Sequence, residues 1–362
     1  MNLLYTEIEE ELRASVRALL TDRSPVAALP GRLAGPDQHD PDPHDPALHD
    51  PALWHALAAE LGTAGLQVPE AAGGAGASLR ESAVVLEELG RSLAPVPFLG
   101  SAVLATTALL AAGSERVAEL ASGARTGTLA VPFSSWEHRP TVRVEGGTLS
   151  GRVTSVADAT AADLLVVPVE GGALYLVERG FTRTARTSLD LTRPLTDLAF
   201  ERAPAHLLTE DPAVLARTLR TGAGLLASEQ LGIAEWCLAS TVDYLRERRQ
   251  FNRPVGSFQA LKHRLADLWL EVVGARATAR AAADALANGA ADAPVLVAVA
   301  ASHCGTVAVR AAEECIQLHG GIGMTWEHPA HLFLKRAKAD QLALGTPARY
   351  RSALADLVDL PA

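Results

Sequence analysis

The strongest constraint on this chain is the series of long segments with helical hydrophobic period that fills its C-terminal part: Ala213 to Arg249, Phe258 to Asn288, Ala293 to Leu318 and His328 to Gln341. Helices of that length and apolar content bury their faces chiefly against one another, so the pattern predicts an antiparallel four-helix bundle. Such a bundle often supplies a subunit interface, and a homo- or hetero-oligomer is expected. The most apolar stretch, Ala293 to Val309, is interrupted by Ser302 and His303 and is too short for a membrane span. It reads as a buried core helix, with no membrane partner.

Upstream, helical period appears in Met1 to Asp22 and returns from Ala52, broken by the turn-rich segment Pro69 to Gly76, then resumes in Leu79 to Gly90 and Leu99 to Ala112. Between the helical regions lie short β-type runs: Leu129 to Val131, Thr141 to Val144, Leu164 to Val169, Leu174 to Val177 and Leu198 to Phe200. The fold class is therefore α+β. We expect an N-terminal α-helical domain over residues 1–126, a central β-domain (barrel or sandwich) over 127–210, and the helical bundle over 211–362.

Charge and cysteine content narrow the function classes. A formal net charge of −10 disfavours a polyanion surface, so nucleic acid is not an expected partner. Cys237, Cys304 and Cys315 form no CxxC pair and read as buried thiols in a reducing compartment. Glutamates near the N-terminus exclude the basic region of a signal peptide, which predicts a cytoplasmic protein. A short repeat, His39-Asp40-Pro41, His44-Asp45-Pro46 and His49-Asp50-Pro51, carries metal-type side chains. Proline after each aspartate keeps that backbone extended and opposes convergent coordination, so a solvated loop and no metal are expected.

Two segments carry chemistry. From Tyr244 the chain reads YLRERRQFNRPVGSFQALKHRLAD, with Arg246, Arg248 and Arg249 closing a helix where cations complement the dipole. From Glu313 it reads EECIQLHGGIGMTWEHPAHLFLKRAK, in which Gly320 and Gly321 let backbone amides approach a ligand. These two segments, and the stretch Gln67 to Pro97, resemble the acyl-CoA dehydrogenase family in matching order over most of the chain. The resemblance implies FAD as cofactor. It assigns Arg248 to the pyrophosphate, Phe251 and Gln259 to neighbouring cofactor contacts, and Gln317, Gly320 and Gly321 to an FAD that reaches across from an adjacent subunit. Gly345-Thr346 matches the family's next cofactor turn.

The sequence also departs from that pattern. Removal of the α-proton of an acyl thioester needs a base, with the β-hydrogen leaving as hydride to the flavin. In most of the family a glutamate stands directly before the Gly-Thr turn, where this chain has Leu344. Other members carry it at the place matching Arg220-Thr221-Gly222, which is also free of acid. Glu229 and Asp340 are the candidate acids nearest in sequence, with Glu235 beyond. The β-domain elements that contact the flavin correspond to Val131 to Ser135 and to Ser155 to Asp158, and both have changed. Retained helical signatures with a missing base resemble the subunits of heteromeric acyl-CoA dehydrogenases, including those acting on sterol side chains, in which a Glu-bearing sister subunit completes the enzyme. Acyl-CoA would then be the substrate and an electron-transfer flavoprotein a possible acceptor. A homomer with altered chemistry and a non-catalytic scaffold subunit stay open as alternatives.

Overall fold

The structure, a computed structural model, describes residues 3–33, 50–134 and 140–359. Reciprocal capping starts the first two long helices. Thr6 and Glu9 cap α1 (Glu7–Arg23), and Ser78 and Glu81 cap α4 (Leu79–Ser92). Between them lie short α2 (Leu29–Leu33) and α3 (Pro51–His55), the latter begun by Asp50 accepting from Leu53 N–H at 2.9 Å. Of the three His-Asp-Pro repeats only Asp50 and Pro51 fall among the described residues. Among those residues no three metal-type side chains converge.

A fully buried π-helical segment, Phe98–Ala105, runs into α5 (Thr106–Ala111), and α6 (Val117–Ala121) closes the N-terminal region. Seven strands follow: β1 (Gly127–Leu129), β2 (Arg143–Glu145), β3 (Thr148–Ala157), β4 (Leu164–Pro168), β5 (Leu174–Val177), β6 (Phe181–Arg186) and β7 (Leu195–Thr209). Their order is β1-β4-β5-β7-β3-β2, with β6 also on β7. The long β7 serves both halves: Leu195–Pro204 pairs β3, and Ala205–Thr209 pairs β5. Among the described residues the sheet stays open at β1 and β2 rather than closing into a barrel.

The chain then turns into α7 (Ala213–Glu247), a β8–β9 hairpin (Arg249–Gln250, Arg253–Pro254), α8 (Gln259–Ala287), α9 (Ala293–His319), α10 (Ala330–Leu342) and α11 (Pro347–Leu357). The apolar α9 lies at the centre, against α7, α8, α10 and α11, as a helix hydrophobic around most of its circumference must. Glycine fixes the crossing of α4 and α7. A Cβ on Gly90 would fall 2.1 Å from the Glu229 carbonyl oxygen, and one on Gly232 would fall 1.9 Å from that of Glu87. Backbone therefore meets backbone there with no side chain between.

Candidate functional site

Arg248 caps α7 in extended conformation, its N–H donating to the Tyr244 carbonyl at 2.8 Å while its own carbonyl accepts from Val255 N–H at 2.7 Å. Those bonds hold the hairpin that follows. Its two turn residues, Phe251 and Asn252, have φ of 50° and 61°, the mirror-image turn that a two-residue hairpin loop favours. Asparagine tolerates this conformation, whereas for phenylalanine it costs about 1–2 kcal/mol. The result is a ring 86% exposed to solvent, with only its edge set against Phe258 at 6.1 Å. A strained residue presenting an apolar ring is a mark of a functional site.

The ends of α7 and α9 are joined by the Tyr244 ring stacked on His319 at 4.5 Å, and the start of α8 by Arg264 paired with Glu314 at 2.7 Å. Gly320, left-handed at φ 64°, ends α9, and a Cβ built on Gly320 or Gly321 meets nothing within 4 Å. Arg248, Phe251, Gln259, Gln317, Gly320 and Gly321 are thus all exposed at one end of the bundle. Together they offer an arginine fork, two amides and an open backbone, which suits an extended phosphate-bearing ligand.

Thr346 is elsewhere. It caps α11, accepting from Arg349 N–H at 3.3 Å, and the next residue, Pro347, packs beside Gly305 in the middle of α9. At 1.5 Å per residue that is about 22 Å along α9 from Gly320. Thr346 belongs instead to the turn of Leu344, whose φ of 51° is also left-handed. That turn is pinned on both sides: Leu344 N–H donates to the Phe133 carbonyl at 2.8 Å, and the Tyr350 hydroxyl donates to the Leu344 carbonyl at 2.6 Å. Beside it opens a groove of 510 Å³ lined by Arg220, Val297, Leu344, Tyr350, Asp356 and Leu357 among others. A Cβ on Gly222 would lie 3.0 Å from Leu344 Cδ1 and 2.4 Å from Leu104 Cδ2. Positions 222 and 344, far apart in sequence, therefore meet in space.

Glu229 and Asp340 are buried behind this turn. Arg193 donates to both Glu229 oxygens, at 2.9 and 2.7 Å, and to Asp340 Oδ1 at 2.6 Å. Arg336 donates to Glu229 Oε1 at 2.5 Å and to the Thr192 hydroxyl at 2.6 Å, and pairs with Asp190. Burial opposes ionisation of Glu229, but the two guanidiniums outweigh it and hold the carboxyl below its usual range. Asp340 goes the other way: burial and the adjacent Glu229 charge raise it well above the carboxylate range despite both arginines. Glu235 is likewise paired, with Arg91 at 3.0 Å and Arg276 at 2.6 Å. The organising residues Arg193 and Arg336 were not singled out from sequence. A local signal exists, since Asp190 accepts from both the N–H and hydroxyl of Thr192 in a tight Asx turn.

On the β side, Phe133 N–H donates to the Ser155 carbonyl at 3.0 Å, and the Arg193 guanidinium lies 5.3 Å from the Phe133 ring centre. The β3 strand is irregular between Val153 and Val156, with Ser155 and Asp158 at positive φ. Asp158 Oδ2 accepts from Gly100 N–H at 3.0 Å, so the altered β-elements are sealed against the π-helical segment and the Leu344 turn.

Comparison with known proteins agrees with this architecture. The chain matches the acyl-CoA dehydrogenase N-terminal domain over residues 6–120 and the C-terminal domain over 213–358. It is 38% identical to the acyl-CoA dehydrogenase IpdE2 of Mycobacterium tuberculosis, over 90% of this chain and 92% of that protein. The ChsE4-ChsE5 complex of M. tuberculosis superposes with a TM-score of 0.86 at 30% identity, covering 100% of both chains. Butyryl-CoA dehydrogenase from Megasphaera elsdenii shares the fold, with a TM-score of 0.87 at 22% identity over 99% of this chain and 100% of that one. With both terminal helical regions matched, the open sheet between them and a relative 38% identical over nine-tenths of its length, the chain belongs to the acyl-CoA dehydrogenase family.

Proposed function

We propose that this chain is one subunit of a heteromeric acyl-CoA dehydrogenase, which forms the α,β-double bond of an acyl-CoA thioester while a sister chain supplies the catalytic glutamate. The observation that carries this reading is the meeting of Gly222 and Leu344 beside the 510 Å³ groove. They belong to the two places where the family resemblance sets a base, Leu344 and the stretch Arg220-Thr221-Gly222, and neither place carries an acid. Glu229 and Asp340 are committed to Arg193 and Arg336, so neither can swing over an α-carbon. Relatives support the heteromeric part, since the ChsE4-ChsE5 structure is described as a complex of two chains.

The family is FAD-dependent, and the residues at the end of the bundle fit part of that cofactor. Arg248 would pair with the pyrophosphate, Gly320 and Gly321 would let the backbone approach, and Gln259 and Gln317 would meet polar atoms, with Phe251 as an apolar wall. Bound FAD supplies the acceptor for the substrate's β-hydrogen as hydride. Because this set faces outward, far from the Leu344 turn, we assign it to the cofactor of the neighbouring subunit. Leu344 instead lines this chain's own groove and excludes water there, held by its bond to the Phe133 carbonyl, and Thr346 fixes the turn.

The test is electron-acceptor reduction with a panel of acyl-CoAs, comparing the isolated chain with the chain co-assembled with a Glu-bearing sister. Turnover is expected only in the co-assembly, because water in a closed site is a weak base at neutral pH. A second reading, a homomer with a base of its own, is favoured by one observation: Asp356 lines the groove. Turnover by the isolated chain that disappears in Asp356→Asn would establish it and overturn the heteromer.

A further inference from the structure

Behind the Leu344 turn lies a second, much smaller space, a cavity of 10 Å³. Its walls come from four helices and the turn: Ala223 and Gln230 of α7, Ala301 of α9, Asp340 of α10, Gly345 of the turn and Tyr350 of α11. Tyr350 also lines the 510 Å³ groove, so the cavity backs onto the groove wall. A space of this size takes one water and nothing larger, since about 10–15 Å³ is the least that holds one. The donors on its wall are already used. The Tyr350 hydroxyl donates to the Leu344 carbonyl at 2.6 Å, and Gln341 Nε2 to the Gly305 carbonyl at 3.3 Å. Two acceptors are not used. Gln230 is 4% exposed and Asp340 1%, and each buries one side-chain oxygen, Gln230 Oε1 and Asp340 Oδ2, that has no hydrogen-bond partner among the described residues. The remaining atoms of both side chains are fixed. Gln230 Nε2 donates to the Asp340 carbonyl at 3.1 Å, which sets the end of the amide that is oxygen, and Asp340 Oδ1 accepts from Arg193 at 2.6 Å. Neither orphan oxygen can reach a protein donor without giving up a bond its residue already makes, and buried acceptors left unpaired are costly.

We propose that this cavity is a site for one structural water, which bridges Gln230 Oε1 on α7 to Asp340 Oδ2 on α10 and braces the Leu344 turn from behind. Burial and the Glu229 charge raise Asp340, so its second oxygen has to be served in either protonation state. Water does both: it donates to a carboxylate and accepts from a carboxylic acid, and its other hydrogen reaches Gln230. A cation serves only the charged form, and two oxygens fall well short of the roughly six that a hard cation takes. Asp340 stands four residues before Leu344, so the bridge ties α7 to the segment that runs into the turn. It adds to the main-chain bonds with Phe133 and Tyr350 that pin the turn elsewhere. The groove wall then depends on a solvent molecule held by two residues that do not line the groove.

The experiment is a crystal structure of the full-length protein at a resolution that shows ordered solvent, joined to oxygen-17 relaxation dispersion, which counts long-lived internal waters in solution. One solvent peak is expected about 2.7–3.2 Å from both oxygens. Gln230→Leu leaves that position with one side-chain partner and should lose the water, because an internal water needs at least about two. Asp340→Asn should keep it, since the amide retains an acceptor for Arg193 and offers the water a donor. Ala301→Val takes up the space and alters neither polar side chain, which separates loss of the water from loss of the Gln230 amide and serves if Gln230→Leu does not fold. In both water-free variants hydrogen exchange of the Leu344 amide should rise by roughly tenfold, while the middle of α9 stays protected. No solvent peak in the parent, a peak that takes up rubidium on soaking, or a water that persists in Gln230→Leu would each overturn the proposal. Unchanged exchange at Leu344 in Ala301→Val, with the water gone, would overturn the bracing role.

Discussion

Glu229 and Asp340 stand in the same buried network and should respond oppositely to loss of charge. Glu229 accepts three hydrogen bonds from two guanidiniums that are about 5% exposed or less, so Glu229→Gln leaves Arg193 and Arg336 without their shared counter-charge. Breaking a buried pair in this way costs about 3–5 kcal/mol. With an unfolding entropy near 2.1 cal/mol/K per residue over 362 residues, that lowers Tm by about 4–7 °C. Burial and the neighbouring Glu229 charge raise Asp340, and an amide keeps an Oδ1 acceptor for Arg193, so Asp340→Asn should cost less than Glu229→Gln. The pH dependence separates the two further. Glu229 is depressed in the fold, so its stabilisation is present above the usual carboxylate range and is lost as pH falls through the folded value. Asp340 is raised, so its contribution is full at low pH and is lost as pH rises through its folded value, a loss that Asp340→Asn removes. Calorimetry across pH on the two variants reads all of this. A Glu229→Gln protein as stable as the parent, or an Asp340→Asn protein destabilised by several kcal/mol, would refute the assignment of charges. If Glu229→Gln kept its stability and abolished turnover, Glu229 would become the base.

Gly232→Ala places a methyl group against the Glu87 carbonyl and should destabilise the protein by about 1–3 kcal/mol or more, read by denaturant unfolding, whereas Gly289→Ala, with nothing near its Cβ position, should lose only the smaller cost of a positive φ. Arg248→Ala should lower FAD retention in the assembled enzyme by roughly tenfold or more, since a charge-assisted contact contributes about 1.5–3 kcal/mol, and Arg217→Ala, exposed near the start of α7, should leave it unchanged. Equal flavin absorbance in the two proteins after gel filtration would remove Arg248 from the cofactor site.

The long helices were legible because their period is unbroken: α7, α8 and α9 end within two residues of the sequence reading, and β5 occupies Leu174–Val177 as read. Strands β3 and β6 were not, for a physical reason. The sequence TLSGRVTSVA of β3 is interrupted by Gly151 and a bulge, and FTRTAR of β6 is exposed over most of its length, so neither shows an apolar run. Helix α11 also escaped, although Thr346 followed by Pro347 is a helix-start signal. At the site, Arg248 and the glycine pair could be read because they sit within short motifs. The Arg193 network could not, since its partners lie 36 and 147 residues away. Nor could sequence spacing reveal that Thr346 stands apart from the other cofactor candidates, which the path of α10 back along α9 decides.

The glycine crossing of α4 and α7 bears on how a chain of this shape could diverge. Where two backbones touch, no substitution on one helix can be compensated by a smaller residue on the other, because no smaller residue exists. Positions 90 and 232 are thus closed to drift, whatever happens around them. Position 344 is held by main-chain bonds to Phe133 and Tyr350 that do not depend on its own side chain. The side chain at that turn can therefore be exchanged for another in a single step while the backbone around it keeps its course, so chemistry there is free to change where the crossing of α4 and α7 is not.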